Sequence, residues 1–159
     1  MVDEEARNYV NSYGHLRDIQ YAAYDHYARG IELTAKELFV LDILYFAPQG
    51  VHESAICKRL STNKQTISAI IKKFKKKGYL SLRKDNGDGR NKIIRFSPRG
   101  EIWARKIIPS AAEADILAMG DLTKEEMKQL VLLTERFSRA MTIRFAEAEK
   151  RLRRGDSMK

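Results

Sequence analysis

The chain lacks the features that would place it in a membrane, outside the cell or in metal chemistry. Among its 159 residues no apolar run approaches the roughly 18 that a membrane span needs. The start, Met1-Val2-Asp3-Glu4-Glu5, is acidic and has no apolar stretch behind it, so no signal peptide is expected. A single cysteine, Cys57, cannot close an internal disulfide, which points to the reducing cytoplasm. The three histidines, His15, His26 and His52, are scattered without ligand spacing, so neither a metal nor another cofactor is expected. Residues 58–106 hold no histidine and only Asp85, Asp88 and Glu101 as acids, too little for a nucleophile–base pair or a carboxylate cluster. The chain does not read as an enzyme.

What it has in excess is positive charge, net +9, and the excess is local. Residues 58–106 carry sixteen Lys/Arg against three Asp/Glu, a net +13. Residues 1–57 carry four against nine (−5), and residues 107–159 carry ten against nine (+1). Charge added only for solubility would be spread, whereas a concentrated block is the footprint of a phosphate-backbone binder. The remainder is ordinary: 43% hydrophobic residues suffice for one core, or for two small halves.

Periodicity predicts a mainly helical chain. Tyr9, Tyr13, Leu16, Ala23 and Tyr27 recur at helical steps over about 5–28, ending near Gly30. Thr34 and Glu37 form a capping box, opening a helix that carries Leu38, Leu41, Leu44 and Tyr45 inward and stops at Pro48 and Gly50. A short helix over about 52–60 presents Ile56, Cys57 and Leu60, followed by a tight Ser61-Thr62 turn. Asn63 is an N-cap for a helix with Ile67, Ile70, Ile71 and Phe74 on one face, ended by Gly78. The period then changes to two. Leu80-Ser81-Leu82-Arg83 and Lys92-Ile93-Ile94-Arg95-Phe96 flank Asp85-Asn86-Gly87-Asp88-Gly89 and read as a hairpin. Ser97-Pro98 opens another helix, Pro109 kinks or restarts it, and Thr123 with Glu126 caps the last. That helix has a second stripe through Met127, Leu130, Thr134, Phe137, Met141, Phe145 and Ala148.

Short helix, turn, polar-faced helix and hairpin together make a winged helix-turn-helix, so the expected class is mainly α with a small β-hairpin wing. Residues near the start of such a second helix reach base edges in the major groove of DNA. The candidate contacts are Asn63, Lys64, Gln65, Thr66, Ser68 and Lys72 on the helix and Lys84, Asp88, Arg90 and Lys92 on the wing. Glutamine suits adenine, lysine guanine and the threonine methyl a thymine methyl. Arg90 at the hairpin tip suits a narrow minor groove, with Asp88 able to orient it.

At Asn63-Lys64-Gln65-Thr66-Ile67-Ser68, Lys77-Gly78-Tyr79-Leu80 and Asp85…Asp88-Gly89-Arg90…Phe96-Ser97…Gly100 the chain resembles the MarR family of bacterial transcription regulators. It departs from that pattern at Gly89, where a second arginine is common, at Phe96 for Leu and at Ser97 for Thr. The resemblance implies a homodimer whose terminal helices pair while each subunit offers one winged module to half of a pseudo-palindromic operator in double-stranded DNA. Residues 33–100 would be the winged module, and 1–32 with 101–159 the helical dimerisation region. The two stripes support this separately, with Tyr9, Tyr13, Leu16, Leu130, Phe137, Met141 and Phe145 as interface candidates. It further implies a repressor that answers a small-molecule effector or other signal, with Tyr13, Tyr24, Tyr45 and Phe46 as candidate pocket residues. Cys57 reads as a small core residue, with a redox role as the alternative. The rival reading of the whole is a nonspecific architectural nucleic-acid-binding protein.

Overall fold

The computed structural model describes residues 3–84, 92–153 and 155, arranged as two compact units, 1–113 and 114–159. The first unit begins with α1 (Glu4–Gly30), whose N-cap Asp3 accepts from the Glu5 N–H at 3.0 Å. Glu4 and Glu5 in its first turn and Arg29 in its last oppose the helix dipole favourably. The capping box opens α2 (Ala35–Tyr45): Thr34 Oγ1 accepts from the Glu37 N–H at 3.2 Å, and Glu37 Oε2 from the Thr34 N–H at 3.0 Å. Then follow β1 (Val51–His52), α3 (Glu53–Arg59) and α4 (Lys64–Lys76). The wing strands are β2 (Leu80–Lys84) and β3 (Lys92–Phe96), and after them come α5 (Pro98–Ala104) and α6 (Ile108–Gly120). Pro109 is the second residue of α6, so the restart, not the kink, is what it produces.

The sheet has one strand more than the hairpin. Its order is β1-β3-β2, antiparallel throughout, with Val51 opposite Ile94 and Leu82 also opposite Ile94. Two residues are too few to show a period, which is why β1 is invisible in the sequence. The alternation along β3 sends Ile94 and Phe96 inward and leaves Arg95 exposed, while Lys92, on the same face as Ile94, is exposed at the start of the strand. They join Leu38, Leu41, Leu44, Ile56, Ile67, Phe74 and Ile108 in a single core, closed by Ala28 and Ala104. The end of α1 is tied to this core, because the Tyr27 hydroxyl donates to the Ile107 carbonyl at 2.7 Å.

The exit of α4 is a Schellman turn. The Tyr79 N–H donates to the Phe74 carbonyl and the Gly78 N–H to the Lys75 carbonyl, both at 2.9 Å. Gly78 sits at φ +76°, which glycine adopts without strain. Ser97 then joins this turn to α5: its hydroxyl donates to the Gly78 carbonyl at 2.6 Å and accepts from the Gly100 N–H at 3.0 Å. Trp103 stacks on Tyr79 with ring centroids 4.4 Å apart, and the Arg99 guanidinium lies over the Tyr79 ring at 5.3 Å.

The second unit contains the end of α6 and all of α7 (Lys124–Arg153). No residue of α7 is buried, so its apolar side chains, Leu130, Val131, Leu132, Leu133, Ile143 and Phe145 among them, face solvent. Its start is a second capping box, in which Glu126 Oε2 accepts from the Thr123 N–H at 2.8 Å and the Thr123 hydroxyl at 2.7 Å. The backbone bond, then the hydroxyl bond, hold the Glu126 carboxyl below its ordinary value of 4.5. A lowered folded-state value means that the cap is at full strength above the ordinary carboxylate range and is lost as pH falls through the folded value. Protection of the amides in the first turn of α7, relative to their unfolded exchange rates at the same pH, should therefore fall on acidification, and Glu126→Gln should remove that part of the pH dependence. An unchanged acid profile in that variant would show that Glu126 is not the titrating cap.

Candidate nucleic-acid interface

The turn between α3 and α4 is tight because Ser61 takes a left-handed conformation (φ +47°) and the Thr62 N–H returns to the Cys57 carbonyl at 3.0 Å. Asn63 Oδ1 then accepts from the Thr66 N–H at 2.9 Å and from the Thr66 hydroxyl at 3.0 Å. Two of the six helix candidates are thus engaged in starting the helix. Their polar atoms set where α4 begins, and the Thr66 methyl is what remains for a thymine.

Four apolar residues fix how α4 lies on the core. Ile67, Ile70, Ile71 and Phe74 are buried, which turns Gln65, Ala69, Lys72 and Lys76 outward as one exposed row at steps of four, three and four. Ala69 is the member that the sequence reading passed over. Its methyl is suited to a thymine methyl, and the helical period counted on from Gln65 would have found it. Ser68 lies off this row, half-buried, and its hydroxyl donates to Glu53 at the start of α3. Ser68 is therefore a poorer candidate base reader than its position in the sequence suggests, and Glu53 emerges as a member of the site. A partner fifteen positions away leaves no local signal.

The flank of α4 towards the wing is a basic cleft of about 620 Å³. Lys64, Lys72, Lys75 and Lys92 line it with Glu53, Ser54 and Ser68, and Ile71, Leu82 and Ile94 supply its apolar lining. Cys57 is half-buried, packed against the core and also lining this cleft, so it is less enclosed than its helix face implied. At the open end of the ladder Lys84 stands directly opposite Lys92. Like charges across a strand pair destabilise it, and a polyanion laid over the wing relieves that repulsion. Asp88 and Arg90 at the wing tip lie outside the described residues.

One cation of this block is turned to another use. Lys73 Nζ pairs with Glu37 Oε1 at 2.5 Å, and Glu37, 6% exposed, is the buried charged residue of the core among the described residues. Of the aromatic pocket candidates, Tyr24 packs edge-on against Phe39 at 5.0 Å and Tyr45 against Phe46 at 5.3 Å. Phe46 is 63% exposed and Tyr13 lies on the exposed side of α1. Tyr45 and Phe46 thus touch each other, Tyr24 packs on Phe39, and the basic cleft is lined by other residues. Among the described residues no group of three or more His, Cys, Asp or Glu is placed to hold a metal, and no helix is long and apolar enough to cross a membrane.

A capped helix with a polar outward row, a tight turn before it and a paired, lysine-bearing wing after it define a winged helix-turn-helix DNA-binding protein. Residues 30–91 match the family model described as MarR family. Over these residues, about two fifths of its length, the chain matches the MarR family of DNA-binding transcription regulators, which are not enzymes. Comparison with curated proteins gives no match. Among solved structures, the fold is shared with NMB1585, a MarR family regulator from Neisseria meningitidis, at 17% identity and TM-score 0.76 over 87% of this chain and 97% of that one. It is shared with MepR of S. aureus in complex with DNA, at 20% identity and TM-score 0.68 over 83% and 97%. PcaV of Streptomyces coelicolor, solved in complex with its natural ligand, has 22% identity and TM-score 0.63 over 80% and 92%.

Proposed function

We propose that this protein is a homodimeric, sequence-specific regulator that represses transcription from a pseudo-palindromic operator until a small-molecule effector lowers its DNA affinity. The observation that carries the DNA part is the outward row of Gln65, Ala69, Lys72 and Lys76 on a capped helix beside a lysine-lined cleft. The lysines supply affinity through phosphates, and Gln65 and Ala69 supply choice of sequence. The dimer part is supported by apolar side chains left in solvent on α1 and α7, such as Tyr9 at 69% and Phe145 at 67% exposure. In this reading 33–100 is the winged module, and 1–32 with 101–159 hold two modules roughly 34 Å apart, one turn of DNA. The effector part is supported by the ligand present in PcaV and by the aromatic residues of α1 and α2. An effector acts only by binding one arrangement of the modules better than the other.

The test is selection of bound sites from a random duplex pool, followed by titration of the selected site at several salt concentrations. Two half-sites about 10 base pairs apart and a falling log K against log[salt] are expected, each phosphate-bound lysine contributing about −0.9 to the slope. Equal affinity for every duplex would identify a nonspecific architectural protein instead. Gln65→Ala should cost about 1–3 kcal/mol of discrimination at one base pair per half-site and leave the salt slope unchanged.

A further inference from the structure

The recognition helix is held on both flanks by carboxylates from different helices. Ser68 and Lys73 are five residues apart, hence about 140° apart around the axis of α4 at about 100° per residue. The outward row of Gln65, Ala69, Lys72 and Lys76 lies between them. On one flank the Ser68 hydroxyl donates to Glu53, the first residue of α3. On the other, Lys73 Nζ donates to Glu37 Oε1 at 2.5 Å. Glu37 is itself fixed, because its second oxygen caps the start of α2 at 3.0 Å from the Thr34 N–H. The buried apolar face of α4 fixes which side of the helix turns outward, but burial is less directional than a hydrogen bond and leaves a narrower range of roll to be set.

We propose that Glu37 and Glu53 are positioning residues that set the roll of α4 about its axis, and with it the DNA sequence preferred, without touching DNA. A roll of about 20° moves a side-chain tip at a radius of about 6 Å by roughly 2 Å, enough to break a bidentate bond to a base. Phosphate contacts through long lysines tolerate such a shift, so the two carboxylates act on specificity more than on total affinity. Glu37 has a second effect: it keeps the Lys73 charge from the DNA backbone. The proposal rests on the reading that α4 chooses sequence, and the experiment separates the two.

Full-length wild type, Glu37→Gln and Glu53→Gln are titrated with the selected duplex and with random duplex of equal length at several salt concentrations. Each variant should lose about tenfold in the ratio of specific to random affinity, the worth of about one base contact, while keeping its random-duplex binding. Glu37→Gln should also steepen the salt dependence by up to about 0.9 as Lys73 is released, whereas Lys73→Arg, which keeps the ion pair, should preserve the ratio. An unchanged ratio in folded variants, or equal loss on both duplexes, overturns the proposal. Should Glu37→Gln not fold, Lys73→Gln breaks the same pair from its more exposed end and is read by the ratio of specific to random affinity alone, since it removes the cation whose release would steepen the salt dependence. A wild type without sequence preference removes the premise instead, a result that no variant can imitate.

Discussion

Alanine at Gly100 should destabilise the winged module by about 3 kcal/mol or more, with DNA binding lost in proportion to the unfolded fraction. A Cβ built there lies 1.9 Å from the Tyr79 carbonyl oxygen and 2.8 Å from its carbon, with Phe96 at 3.0 Å. Two of these are backbone atoms at the exit of α4, held by the Schellman turn and by the Ser97 N–H, which donates to the same Tyr79 carbonyl at 3.0 Å. Neither can swing aside as a long side chain would. Relief requires α5 to move away from Tyr79, which breaks the Ser97 bonds and pulls Trp103 off its stack. Urea unfolding followed by circular dichroism should show a lower midpoint with an unchanged slope. A midpoint equal to wild type would show that α5 approaches α4 less closely than described.

A chain carrying both Leu130→Glu and Phe145→Glu should sediment as a monomer and lose at least about 100-fold in affinity for a two-half-site operator. Both residues are exposed on α7, Leu130 at 43% and Phe145 at 67%, so the changes cost the isolated chain little. Placed across a two-fold interface, each acid faces apolar surface twice, because an isologous contact repeats every substitution. Binding to a single half-site should be nearly unaffected, since the outward row of α4 is untouched. A variant that still sediments as a dimer would place the interface elsewhere.

What the sequence made legible was local. Thr34 with Glu37, Asn63 with Thr66, Ser97 with Gly100 and Thr123 with Glu126 are pairs three residues apart, and each shows its hydrogen bonds. Their spacing is a property of one helical turn, so the residue types announce them. The contacts that aim α4 join residues far apart in the chain. Glu53 meets Ser68 across 15 positions and Glu37 meets Lys73 across 36, and no period connects either pair. The charge block shows the same limit. It gathers the cations into one stretch of chain but counts Lys73 with the rest, although Lys73 is paired with a carboxylate of α2. On α7 the stripe named one face, yet Leu130-Val131-Leu132-Leu133 wraps the helix and all four are exposed. Exposure of a whole turn of apolar residues is a tertiary fact, and a stripe read at steps of three and four cannot contain it.

The ring stack behind α4 gives the molecule its own optical probe. Trp103 is the only tryptophan in the chain, and it lies parallel to Tyr79, the residue that follows Gly78 at the exit of α4. Indole emission responds to the polarity and stacking of its surroundings, so a shift at that exit changes the colour or yield of a single emitter. The signal needs no attached dye and comes from one known place. DNA titrations, effector titrations and unfolding can therefore be followed on the unmodified protein, from a point one residue past the glycine that ends the reading helix.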